Sequence, residues 1–540
     1  MIAWMAWRLH RRGLLGFSIA GFGLSFFYGL AFGSAAGRTE AERAAFGRAL
    51  TLAGKQFTFL IPLPVHPETL GGYEQYKWLS GAIILMMVWA GLVGVGIGRG
   101  EEDRGLTEQW LAAGLSRARL LLARSAAFGL VLLIACLASV LGISAVAPLV
   151  QQDPNLAGEL AKAASMAAGL FACFALALLI SQFPAERQTA TALGIGALVL
   201  LLIVNGIADT VSGASGLGVI TPFHWMNRTT SAAPGGVIDA WGTLGLAVAA
   251  ALLIAGTVLV FSRRDLGRGL LARTLRRRPA VRAASHNPLL RTPFTEGLWE
   301  QRGLSVWVAG TALLGWLMVS ITKSTADALL SDKTLGTLFA RSVGGNPYEA
   351  MLGLVWFASA LLLLAAYAVV QVSRWAAQDQ EGRLELLLSA PVSRTRVVAD
   401  RALEFALASA LIVAAGYVGV ALQVPFSGLN LDGGRVFAAS VLLWPFALAF
   451  GGLGVALASR WPRVAVPVLA AFTVVEYFLG DLAPLLKAPG WVANLSIFHL
   501  YGNPLAGDLS WTPVISMTAV FLAGFAAALA LMRRRDVSTA

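Results

Sequence analysis

Twelve runs of apolar residues recur along the chain, separated by short polar or basic segments, at 14–32, 79–98, 126–149, 164–181, 190–208, 243–261, 304–321, 351–372, 402–424, 436–459, 464–478 and 514–532. Most approach the roughly 20 residues that carry an α-helix across the hydrocarbon core of a bilayer, where each backbone N–H and C=O must be satisfied within its own segment. The alternation of a membrane barrel strand is absent. The pattern predicts an all-α polytopic membrane protein of twelve transmembrane helices.

Composition agrees with this reading. A chain of 540 residues that is 57% hydrophobic and 13% charged, with a mean hydropathy of +0.71, has too much apolar surface for one water-soluble core. With Arg8, Arg11 and Arg12 placed in the cytoplasm, the loops on that side hold 29 of the 41 Lys and Arg residues. Basic residues favour the cytoplasmic side, so both termini are expected there. The formal net charge of +12 follows from this bias and is not a nucleic-acid footprint. All six lysines are expected in external loops. Cys136 and Cys173 lie in apolar runs and are expected to pack as small hydrophobes, with no disulfide or metal site. The first run, with small residues at 34–37, has the look of a cleavable leader. Its counterpart in the second half and the charge parity favour a retained span.

At an offset of 275 to 290 the chain matches itself in short segments. Tyr73-Glu74 precedes the second run as Tyr348-Glu349 precedes the eighth, and Gly105 and Ser116 are spaced as Gly382 and Ser393 are. Ser181-Gln182-Phe183-Pro184 matches Ser459-Arg460-Trp461-Pro462, and Phe223-His224 matches Phe498-His499. Two halves of six spans each, residues 1–262 and 302–540, therefore enter the membrane in the same orientation as parallel pseudo-repeats. A pathway between them is the natural place for a substrate. The join, 263–301, is basic, and Leu266, Leu270, Leu271 and Leu275 among its arginines give it an amphipathic helix pattern. A solvated linker is the equal alternative.

The loop after the eighth run predicts a short helix. Leu384, Leu387 and Leu388 share one face, Glu381 and Glu385 sit toward the N-terminus where the helix dipole favours them, Pro391 stops it and Ser393 caps the next helix. Such a helix passes force from a soluble partner to the spans it joins. The run Glu381-Gly382 through Leu384, Glu385, Leu388, Pro391 and Arg394 resembles the coupling helix of type 2 ATP-binding-cassette (ABC) exporter permeases. The fused layout with paired Phe-His segments is similar to the bacterial exporters of polyketide antibiotics. The first-half counterpart, with Glu101, Glu102, Arg104, Gly105, Glu108 and Arg117, departs from the pattern at Thr107 and Gln109 and has Gly114 in place of Pro391.

The resemblance implies a permease subunit in the bacterial cytoplasmic membrane that moves amphipathic or hydrophobic compounds outward, whether antibiotic, drug or lipid. It implies two copies of a separate ABC ATPase subunit, which hold the ATP and Mg2+, and surrounding lipids, with no cofactor on this chain. The chain carries no Gly-x-x-x-x-Gly-Lys-Ser/Thr phosphate cradle and no loop long enough for an ATPase domain. By resemblance, the second and fifth spans of each half line the cavity, which nominates Trp89, Asn205, Trp356 and Glu476. Phe223, His224, Phe498 and His499 fall where short re-entrant helices roof the pathway. An ion-coupled secondary transporter with a similar repeat is the alternative, but it needs buried titratable residues, and among the runs only Glu476 approaches that description. A membrane-embedded enzyme would need a cluster of His, Asp or Cys on one face, and the sequence offers none.

Overall fold

The computed structural model describes residues 2–270 and 293–535, apart from 56, 57, 59, 60, 212, 302, 332–345, 381 and 507–510. Most of the basic join, with the second part of its amphipathic pattern, and Glu381 therefore lie outside the described residues. The chain forms two compact units, Met1–Ala280 and Val281–Ala540. Among the described residues there is no strand, and twelve helices are long and apolar enough to cross a membrane, six in each unit.

The first unit contains α1 (Ile2–Ala35), α2 (Leu70–Gly100), the short α3 (Leu106–Ala112), α4 (Arg117–Val150), α5 (Leu156–Ile180), α6 (Arg187–Thr210), the short α7 (Pro222–Arg228) and α8 (Ala240–Arg263). The second repeats the order: α9 (Leu304–Ser331), α10 (Pro347–Asp379), α11 (Arg383–Ser389), α12 (Arg394–Ser427), α13 (Gly433–Arg460), α14 (Pro462–Leu485), α15 (Ile497–Tyr501) and α16 (Trp511–Arg533). Polar caps set the helix starts. Ser116 and Ser393 each accept the N–H three residues on, at 3.2 Å, which satisfies one of the unpaired donors of α4 and α12.

The same partners pack in both units: α1 along α4 and α5 along α8, then α9 along α12 and α13 along α16. Between lipid-embedded helices the hydrophobic effect offers little attraction, so close approach by small residues carries the packing. Gly21 lies on Ser139, and Gly142 lies on Ser25. In the second unit Trp356 fills the space left by Gly315 and Gly416. The interiors are aromatic and aliphatic, with Phe128 against Phe174 and Phe446 against Phe450. Both cysteines are free and buried, with Cys136 Sγ 4.0 Å from Met86 Sδ.

Near its start each second span contains one wide π turn, Gln75–Leu79 in α2 and Gly353–Phe357 in α10. Each follows a buried glutamate, Glu74 or Glu349. Glu74 accepts a hydrogen bond from Ser25 at 2.5 Å. Glu349 accepts the Asp432 N–H at 2.8 Å and pairs with Arg435, so it holds the start of α13.

Candidate functional site

At the arginine-rich end of the first unit, the chain leaves α2 through residues 101–105 and turns into α3 at Gly105. The left-handed φ of +70° there favours glycine. Three acidic residues in this turn are anchored differently. Glu101 pairs with Arg124 of α4. Glu102 accepts from both terminal nitrogens of Arg264, one of them at 2.8 Å, from the Gly267 N–H at 2.5 Å, and lies 3.3 Å from Arg99. Asp103 accepts the Arg187 N–H that opens α6, at 3.2 Å. Burial alone would push the Glu102 carboxyl up, but Arg264, the Gly267 N–H and Arg99 outweigh it and hold it below the usual carboxylate range.

Arg117, the first residue of α4, reaches the end of α8. Its Nη1 donates to the carbonyls of Phe261 at 2.8 Å and Arg264 at 2.7 Å, groups that a helix C-terminus leaves without intrahelical partners. Arg104 turns back onto the Gly100 carbonyl at 2.9 Å.

The second unit repeats this arrangement. Asp379 occupies the place of Glu102 and accepts from Arg401 and Arg535, each at 2.8 Å. Arg394, at the start of α12, donates to the carbonyls of Met532, Arg533 and Arg535 at 3.3, 3.3 and 2.5 Å. Gly382 repeats the left-handed turn at φ +75°. Fifteen positions separate Glu102 from Arg117, and fifteen separate Asp379 from Arg394.

Between these anchors the short helices present polar and apolar side chains outward. Glu108, Gln109 and Trp110 of α3 are exposed, as are Glu385 and Leu386 of α11 and Pro391 beyond it. Leu384 is buried and Leu388 half-buried. Thr107 holds the position of Leu384 and is buried too, so the departure from the leucine pattern preserves the inward contact. The helices end differently: α3 closes on Gly114 at φ +88°, and α11 runs into extended Ala390 before Pro391.

At the opposite end of each unit, a short helix follows the fifth span. Thr221 caps α7, accepting the His224 N–H at 3.2 Å and donating to Asn205 Oδ1 at 2.8 Å. Asn205 in turn donates to Asp209 at 2.8 Å. Ser496 caps α15 in the same way, accepting the His499 N–H at 3.2 Å and donating to the Glu476 carbonyl at 2.7 Å. The Glu476 carboxylate accepts the Ile497 N–H at 2.7 Å. Asn205 and Glu476 thus fasten the short helices to the fifth spans. Phe223 and Phe498 are buried, the latter edge-on to Phe446 and Phe450. His224 stands at right angles to Trp225, and His499 is half-buried.

The other nominated residues are placed by packing. Trp89 stacks on Phe17 with ring centroids 4.1 Å apart, and Trp356 is fully enclosed. A small cavity in the first unit is bordered by Ser80, Ile83 and Ile84 of α2 and by Leu202, Asn205 and Asp209 of α6. Lys162, expected in an external loop, is instead buried in α5. It donates to the carbonyls of Met226 and Thr229 at 2.9 and 2.8 Å and so caps the far end of α7. The sequence reading also missed Arg124, Arg264, Arg401 and Arg535. The signal was present: Arg124 and Arg401 share the offset that relates Gly105 to Gly382.

Two units of six spans, each with a fastened short helix at either end, define a multi-pass membrane protein. A family profile described as ABC-2 family transporter protein matches residues 24–266. A second, described as the C-terminal domain of the multidrug efflux system permease Rv1217c, matches residues 290–533. The chain is 29% identical over 401 residues to the multidrug efflux system permease protein Rv1217c of Mycobacterium tuberculosis, covering 72% of this chain and 69% of the relative. Each profile matches one unit, and with the relative they support an ABC-2 type permease, the membrane permease subunit of an ABC exporter. A permease of this kind implies an ABC ATPase as its partner.

Proposed function

We propose that this permease exports amphipathic or hydrophobic compounds, as the multidrug efflux designation of its relative indicates, from the cytoplasmic membrane of a bacterium. Two copies of a separate ATPase subunit bind ATP and Mg2+ and drive the cycle. In this reading the arginine-rich ends and both termini face the cytoplasm, and one ATPase copy docks on each of α3 and α11, which act as coupling helices. The observation that carries the reading is the twice-built anchoring of those helices, which leaves Glu108 and Glu385 exposed between two fixed ends. At the opposite end, α7 and α15 act as an outer gate, with Phe223, His224, Phe498 and His499 on them and Asn205 and Glu476 as their fastenings. The cavity between α2 and α6 supplies part of the substrate path. Population shift toward an outward-facing state follows when ATP-bound ATPase subunits bind that state more tightly.

The test is co-purification with the ATPase subunit. Glu108→Ala combined with Glu385→Ala is expected to weaken assembly and lower transport-linked ATP hydrolysis. Unchanged assembly and hydrolysis in the double variant would remove the docking assignment.

A further inference from the structure

The two anchors of each short helix lead to the same place. In the first unit, the segment from Glu102 to Arg117 leaves α2 and enters α4, yet both of its ends are bonded to the last turn of α8 and the residues just after it. Glu102 holds Arg264 and the Gly267 N–H, and Arg117 holds the carbonyls of Phe261 and Arg264. Arg264 takes part in both contacts, through its guanidinium and its carbonyl. In the second unit, Asp379 holds Arg535, and Arg394 holds the carbonyls of Met532, Arg533 and Arg535. Arg535 plays the same double part.

We propose that α3 and α11 are hung at both ends from the C-terminal ends of α8 and α16, so that the last span of each half is the element a push on the short helix displaces first. The covalent links of α3 run to α2 and α4, and sequence adjacency alone would make those spans the followers. The bonded links add a second, non-covalent attachment to α8 and α16 through buried charge. The Glu102 and Arg264 side chains are each only 2% exposed, and low local dielectric strengthens charge-assisted hydrogen bonds. The Arg117 and Arg394 cations sit where the dipoles of α8 and α16 are negative. Further bonds spread the load to the loop before α6 and to the last turn of α13: Arg264 donates to Gln182 at 3.0 Å, and Arg535 donates to the Ser459 carbonyl at 3.4 Å. Arg117, Arg264, Arg394 and Arg535 are in this view positioning residues, and the proposal rests on the reading of α3 and α11 as the ATPase-coupling helices.

The experiment uses the full chain in complex with its ATPase. Spin labels at exposed Ala112 on α3 and exposed Ser262 at the end of α8 report their separation by pulsed electron resonance, before and after trapping with ATP and vanadate. A second pair, Ala112 with exposed Arg12 on α1, reports motion relative to the rest of the unit. The expected result is an Ala112–Ser262 distance constant to within about 2 Å while the Ala112–Arg12 distance changes by more. A change of more than about 5 Å in the first pair would overturn the proposal. In parallel, Arg117→Gln combined with Arg394→Gln is expected to lower substrate moved per ATP hydrolysed by about tenfold, with partial recovery in the Lys pair, which still donates to a carbonyl. A wild-type ratio in the Gln pair would also overturn it. The label pairs leave all four arginines intact, so they decide the matter even where the Gln pair fails to fold. Failure of the unmodified chain to assemble with the ATPase would instead refute the docking assignment.

Discussion

Replacing Glu102 by Ala removes the one carboxylate that two buried guanidiniums share. Arg264 and Arg99 are at most 2% exposed in their side chains, so the change strands buried positive charge and leaves the Gly267 N–H without its acceptor. Breaking a buried pair from one side costs about 3–5 kcal/mol, because the uncompensated charge remains. At roughly 2–4 °C per kcal/mol for a unit of a few hundred residues, this corresponds to a fall of roughly 6–20 °C in the melting temperature. The assay is fluorescence-detected thermal unfolding of the detergent-solubilised protein, with Glu108→Ala as the control. Glu108 lies six residues away but is exposed, and its removal is expected to change stability by no more than about 0.5 kcal/mol. A thermodynamic cycle sharpens the test. Adding Arg264→Ala to Glu102→Ala should cost much less than Arg264→Ala alone, because the charge it removes is already stranded. Equal melting temperatures for the Glu102 and Glu108 variants, or strict additivity in the cycle, would refute the account of Glu102 as a buried clamp.

The same carboxylate gives a pH dependence of defined sign. Its pKa is lower in the folded protein than the ordinary value of 4.5, so its contribution is fully present above that value and is lost as pH falls toward the folded-state pKa. Between about pH 6 and pH 3, wild type should lose more stability than Glu102→Gln; parallel melting curves would contradict this. At the opposite end, Glu476→Leu leaves the Ile497 N–H without an acceptor, at a cost of about 1–3 kcal/mol. Glu476→Gln keeps an acceptor oxygen and should retain most stability. Hydrogen exchange at α15 reads the difference, and equal protection in the two variants would show that the bond does not fasten the helix.

What the sequence made legible follows from periodicity and punctuation. Apolar run length located the spans, and Ser116 and Ser393 marked the helix starts where they in fact act as caps. The direction a polar residue faces was not legible. Asn205 and Glu476 stood out as polar groups inside apolar runs and were nominated for a pathway. A run length says that such a group is costly in lipid, but not which backbone N–H or hydroxyl relieves the cost. The packing of a tryptophan is hidden for a related reason. Trp356 is enclosed because Gly315 and Gly416 make room for it, and those glycines lie on other helices, far away in sequence. Arg264 and Arg535 were hidden by the charge count from which the orientation is predicted. Counting basic residues as a loop total treats each as an interchangeable charge, whereas these two are specific partners of Glu102 and Asp379.

The asymmetry between the halves also changes meaning once the contacts are known. In sequence, Thr107 against Leu384 and Gly114 against Pro391 set the first segment apart from the second. Both halves nevertheless keep the left-handed glycine, the inward side chain two residues later, the carboxylate clamp and the arginine just after the last span. What differs is the helix end and the outward surface, where exposed Gln109 and Trp110 in one half stand against exposed Leu386 and half-buried Leu387 in the other. Repeats that conserve their anchorage while varying their exposed face are constrained from inside by mechanics and from outside by what each face meets. A difference in the work of the two halves is therefore to be sought at the exposed faces proposed for docking, not in how either short helix is held.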